Sequence, residues 1–101
     1  MAFTKVAGKR EFPTGAIREI QVDGKAIALA NVDGKFFAIN GVCLHQGGPL
    51  GEGELVGHHV ICPWHAWEYD VTTGKLITNQ AVGVESYPVE VRGDDIYVDL
   101  G

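Results

Sequence analysis

Residues 16–39 read AIREIQVDGKAIALANVDGKFFAI, with the tetrapeptide VDGK beginning at Val22 and again at Val32. Asp-Gly favours a two-residue hairpin turn, because the type I′ geometry needs positive φ at both central residues. Before the first pair, Ile17, Ile20 and Val22 stand among polar residues. Between the pairs lies the apolar stretch Ala26 to Ala30, and after the second comes Phe36 to Ile39. Two turns therefore predict three strands in an antiparallel meander. The repeat is one turn solution used twice, since the sequences that follow the two copies diverge.

The same reading extends in both directions. Toward the C-terminus, Ser86 to Val91 and Ile96 to Leu100 alternate around Gly93-Asp94-Asp95, a further hairpin, and Pro88 predicts a strand that begins there or lies on a sheet edge. In the middle, Leu55 to Cys62 and Trp67 to Val71 read as strands, and Thr73-Gly74 turns the chain into a third, Leu76 to Thr78. Turn signals recur about every ten residues and no helical period is sustained, so the expected class is all-β. A chain of 101 residues, 46% apolar and 21% charged, predicts one globular domain over 1–101 with a conventional core.

Composition also narrows function. The formal charge is −5 and the lysines and arginines are scattered, which argues against a nucleic-acid or anionic-membrane surface. The longest apolar run, Ala26 to Ala30, is far short of the ~20 residues of a membrane span. The N-terminal MAFTKVAGKR lacks the apolar core of a secretory signal, so a cytoplasmic location is expected. In that compartment two cysteines make a poor disulfide.

Each cysteine has a histidine close by. Residues 43–50 read CLHQGGPL and residues 62–70 read CPWHAWEYD, giving Cys43-x-His45, sixteen residues, then Cys62-x-x-His65. Thiolate and imidazole together suit zinc or an iron–sulfur cluster. A zinc finger of the Cys₂His₂ type pairs cysteine with cysteine and histidine with histidine, which this chain does not do. A Rieske centre has two cysteines on one iron and two histidines on the other, an arrangement that two loops giving one of each can straddle. Gly47, Gly48, Gly51 and Gly53 crowd the segment between the candidates, where glycine lets backbone N–H groups approach a bound group. His58 and His59 fall within the expected strand Leu55 to Cys62, one inward and one outward, and are read as structural.

On these residues the sequence resembles the Rieske [2Fe–2S] family, with C-L-H and C-P-W-H-A-W matching its two boxes and the strand pattern fitting on both sides. The resemblance implies an antiparallel β-sandwich base with a two-loop cluster-binding part at about 41–71. It implies that Cys43 and Cys62 ligate the buried iron and that His45 and His65 ligate the outer iron through Nδ1. Respiratory members carry a membrane anchor and two further cysteines that tie the loops together; here those positions are Gly48 and Trp64. The chain is more similar to the small soluble ferredoxins of bacterial ring-hydroxylating dioxygenases, and to the Rieske-type small subunit of assimilatory nitrite reductase.

The expected function is thus a one-electron carrier, without catalytic residues of its own. It would pass electrons from an NAD(P)H-dependent flavoprotein reductase to a terminal oxygenase. The alternatives are the nitrite reductase subunit, bound to its large subunit, and a structural zinc module. High-potential relatives place a serine and a tyrosine after the second box as donors to sulfur. Here these are Trp67, which offers no hydroxyl, and Tyr69, so a potential in the lower half of the roughly −150 to +300 mV Rieske range is expected. Of Trp64 and Trp67, which flank His65, one is expected to wall the cluster from water and the other to meet a partner.

Overall fold

The computed structural model describes residues 3–44, 47–64 and 66–100. Along them run ten strands: β1 Phe3–Gly8, β2 Ile17–Val22, β3 Lys25–Val32, β4 Lys35–Asn40, β5 Glu54–Val56, β6 His59–Ile61, β7 Glu68–Asp70, β8 Ser86–Tyr87, β9 Val89–Arg92 and β10 Asp95–Asp99. All pairings between them are antiparallel. The helical content of the described residues is two single 3-10 turns, Lys9–Glu11 and Leu50–Glu52, so the fold is all-β. No helix there is long and apolar enough to cross a membrane.

Both Asp-Gly pairs turn the chain as expected, with φ of 50° and 81° at Asp23 and Gly24 and 52° and 89° at Asp33 and Gly34. The meander they create is the centre of a four-stranded sheet ordered β2-β3-β4-β8. Its strand β3 is apolar without alternation because both of its faces are covered. Ile27 and Leu29 join a core with Val22, Phe36, Ile96 and Val98, filled from the second sheet, β1-β10-β9. Ala28 and Ala30 join the opposite core, with Leu50, Val60, Tyr69, Val71 and both cysteines. That second core lies against the small sheet β5-β6-β7, and the two cysteine loops meet there, one leaving β4 and the other β6. Pro88 stands between β8 and β9, which are the edge strands of two different sheets, consistent with its missing N–H.

The structure corrects three local expectations. Leu55 to Cys62 is not one strand: Gly57 at φ 62° and His58 turn the chain, and β5 pairs with β6 as a hairpin. Leu76 to Thr78 is not a strand either. It bridges once to β7, Tyr69↔Leu76, with an Ile77 N–H bond to Glu68 O, while the Leu76 N–H bonds Val82 O and Gln80 Nε2 bonds Leu76 O as the chain folds away. β1 is a strand that the sequence reading did not single out.

The hairpin also changes the reading of His58 and His59, neither of which points into a core. Their side chains are 52% and 31% exposed, and their Nδ1 atoms lie 3.2 Å from Asp70 Oδ1 and 3.3 Å from Glu68 Oε2. Burial pulls the Asp70 pKa upward, but hydrogen bonds from the Thr72 hydroxyl and amide and from His58 outweigh it and hold the carboxyl below its ordinary value. A depressed native pKa stabilises the fold above the unfolded value of 3.8, and that contribution is lost as pH falls through the native pKa. Asp70→Asn is therefore expected to flatten the acid side of the pH–stability curve, below about pH 4, while changing its shape little near neutrality. Thermal melts across pH 2 to 7 check this.

Candidate metal centre

Cys43 follows β4 and Cys62 follows β6. Both are free thiols, both are 2% exposed, and both sit in the core beneath the small sheet. The two loops that begin at these cysteines share one backbone design. In each, the cysteine N–H bonds the carbonyl five residues on: Cys43 to Gly48 at 2.9 Å and Cys62 to Trp67 at 2.8 Å. In each, the cysteine carbonyl accepts the N–H four residues on, from Gly47 and from Ala66, both at 3.1 Å. The residue donating that bond is left-handed in both loops, at φ 72° for Gly47 and 60° for Ala66.

Only the first loop has glycine at this strained position. A left-handed conformation costs a residue with a side chain about 1–2 kcal/mol. Gly47→Ala is expected to lower the melting midpoint by about 4–8 °C, the shift for ~1 kcal/mol in a domain of this size. Ala66→Gly relieves strain but frees the unfolded chain, and should change the midpoint by less than half as much. Equal losses in both variants would show that the two loops are not held as described.

Both cysteine side chains belong to one buried cluster. Burial raises the Cys62 pKa, a bond from the Trp64 amide opposes the rise, and the neighbouring Cys43 adds to it. Two neighbouring buried sulfurs are costly as thiolates alone and favourable around a cation. Gly48 closes the space beside them, since a Cβ there would stand 2.6 Å from Cys62 Sγ and 3.2 Å from Trp64 Cβ. The bare backbone at Gly48 is what admits the second sulfur.

Tyr69, wholly buried on β7, points its hydroxyl at the same place. Its Oη lies 3.2 Å from Cys43 Sγ and accepts the Leu44 N–H at 3.0 Å. Burial first, and then the bond to Cys43, push the phenol pKa up, so the hydroxyl keeps its proton. A cysteine that binds metal carries no proton, which leaves the phenol as donor to sulfur. This is the sulfur contact expected of Tyr69. The amides of Leu44 and Trp64 complete the polar surroundings; backbone donors carry no letter in a sequence, and the reading missed them.

His45 and His65 lie outside the described residues. Trp64 and Trp67 both reach the surface, at 51% and 36% exposure, and Trp67 lines a cleft of about 260 Å³ with Leu76 and Ile77. As a donor set, two convergent buried sulfurs, each met by an N–H or O–H donor, suit an iron–sulfur cluster, whose sulfurs take such bonds.

The family model of the Rieske [2Fe-2S] domain matches residues 2–88. The chain is 32% identical to the ferredoxin component of the naphthalene 1,2-dioxygenase system of Pseudomonas aeruginosa, over 89% of this chain and 88% of that one. It is 36% identical to the biphenyl dioxygenase ferredoxin subunit of Pseudomonas sp. strain KKS102, over 99% and 94%. In structure it resembles a chain from the complex of reduced oxygenase and oxidized ferredoxin in carbazole 1,9a-dioxygenase, with a TM-score of 0.87, 30% identity and coverage of 95% and 91%.

Proposed function

Because this chain belongs to the Rieske [2Fe–2S] domain family and its cofactor is a Rieske-type cluster, we propose that it is the electron-carrying ferredoxin of an aromatic-ring dioxygenase system. In this reading it takes electrons from an NAD(P)H-dependent flavoprotein reductase, gives them to a terminal oxygenase, works in the cytoplasm and is not an enzyme by itself. The observation that carries it is the pair of buried sulfurs at Cys43 and Cys62, met by the Tyr69 hydroxyl and the Trp64 amide. The relatives serve dioxygenase systems, which favours an oxygenase as acceptor over the nitrite reductase alternative.

Segment 41–71 is the cluster-binding part, with Cys43, His45, Cys62 and His65 as ligands. When bound, the cluster supplies a one-electron couple. The protein's own residues set its conditions. Cys43 and Cys62 hold their sulfurs away from water, Tyr69 and the Trp64 amide place positive dipoles against them, and Gly47, Gly48 and Ala66 let the loops close around the group. Donors to sulfur favour the more negative, reduced state and raise the potential. With Trp67 where a second hydroxyl would stand, the potential falls in the lower half of the roughly −150 to +300 mV Rieske range.

Potentiometric titration followed by electron paramagnetic resonance, after anaerobic reconstitution with iron and sulfide, tests this. A rhombic signal of low average g that titrates as one electron is expected. No signal on reduction, with one zinc per chain, would leave a structural metal module and end the carrier reading.

A further inference from the structure

Asn40-Gly41 is an Asn-Gly pair, a strong signal for a type I′ hairpin, yet it forms none. Asn40 ends β4 in register with Ile27, and neither residue has positive φ. Glycine stands at 41 for want of space: a Cβ there would lie 3.0 Å from Ala26 O and 3.1 Å from the Ile27 carbonyl carbon. Packing of β4 on β3 thus leaves asparagine followed by glycine, a chemically labile pair. With no side chain at the second residue, nothing shields its amide nitrogen from the carboxamide carbon of the first.

The folded chain restrains both reacting groups. The buried Gly41 donates its N–H to Ala26 O at 2.9 Å, and its carbonyl accepts the Leu50 N–H at 2.9 Å. The Asn40 N–H bonds Glu85 O at 2.8 Å, and its side-chain oxygen accepts the Val42 N–H at 2.9 Å. The Gly41 nitrogen attacks only after losing its proton, and here a carbonyl holds that proton. Reaction therefore waits for this junction to open, which also frees the start of the first cysteine loop. Of the other asparagines, Asn31 precedes the branched Val32 and Asn79 precedes Gln80, so neither competes with Asn40 in an open chain.

We infer that Asn40 is a latent modification site: when the junction opens, Asn40 loses ammonia to attack by the Gly41 nitrogen, and the isoaspartyl chain that results no longer receives a cluster. The Gly41 N–Cγ bond forms as the Cγ–Nδ2 bond breaks and ammonia leaves. Water then opens the five-membered imide, and nothing is oxidised or reduced. Opening at the main-chain carbonyl sends the backbone through the side chain, one atom longer. That atom adds about 1.5 Å of chain three residues before Cys43, where Gly41 has no room to shift and metal ligands must hold to within ~0.2 Å. A cluster that binds only the folded chain lowers the open population, so the loaded protein is protected and the empty one ages. The inference needs the cluster but none of its redox partners.

The test incubates holoprotein, apoprotein and chain unfolded in guanidinium chloride, all with reductant at mildly alkaline pH. Peptide mapping by mass spectrometry follows the change of amide to carboxyl and separates the two products. Asn40 is expected to convert at least about a hundredfold more slowly in the holoprotein than in the unfolded chain, and faster in the apoprotein than in the holoprotein. After dilution and anaerobic reconstitution of the aged chains, the isoaspartyl form should be depleted at least about tenfold among cluster-loaded molecules. Asn40→Asp, which brings the new charge without the extra atom, should load fully. Holoprotein that converts at the unfolded rate, or isoaspartyl chains that load as well as unmodified ones, would overturn the inference. An Asn40→Asp protein that folds but takes up no cluster would also overturn it, because charge and not chain length would then be the cause.

Discussion

Gly48→Ala is expected to yield a folded protein with little iron or acid-labile sulfide. The added Cβ would lie 2.6 Å from Cys62 Sγ, about 1 Å inside van der Waals contact, with the Trp64 side chain 3.2 Å away. The sulfur can swing aside, so the base survives, at a cost of about 1–3 kcal/mol for overpacking. A metal site does not tolerate the swing, since ligand positions must hold to within ~0.2 Å. Iron and sulfide per chain after reconstitution, beside a melting curve, measure both halves. Full cluster content in the variant would mean that Gly48 does not gate the Cys62 sulfur.

Tyr69→Phe separates two effects of one hydroxyl. The ring is wholly buried and its oxygen joins the Leu44 amide to Cys43 Sγ, so phenylalanine keeps the packing and strands a donor. An unsatisfied amide costs about 1–3 kcal/mol of stability. A sulfur that loses a donor holds extra negative charge less well. If the bond is stronger by about 1–2 kcal/mol in the reduced state, the potential falls by roughly 40–90 mV, at 59 mV per tenfold for one electron. Because the phenol pKa is raised, the shift should persist across the neutral and mildly alkaline range rather than fade. An unchanged midpoint with lowered stability would assign Tyr69 to holding the first loop alone.

Legibility followed the physics of each signal. Asp23-Gly24 and Asp33-Gly34 were readable because few residue pairs accept two positive φ values, and the meander came with them. Cys43 and Cys62 were readable by their spacing to histidine. The hairpin within Leu55 to Cys62 was not, because Gly57-His58 is a weak turn signal inside an apolar run and only the pairing of β5 with β6 reveals it. The left-handed Ala66 carried no signal at all, since alanine says nothing of positive φ. The acidic character of the cysteine segment was available in the letters, as the gap from Lys35 to Lys75, and was hidden by an average over the whole chain.

Strand β3 gives successive residues to opposite cores, Ile27 and Leu29 to one and Ala28 and Ala30 to the other. A wall shared in this way ties the fate of the two halves together. The cysteine loops cannot be cut out as an autonomous peptide, because the floor beneath them would leave with the base. Nor does either half unfold alone on heating: whatever pulls β3 away from one core strips a wall from the other, and the molecule melts as a single body.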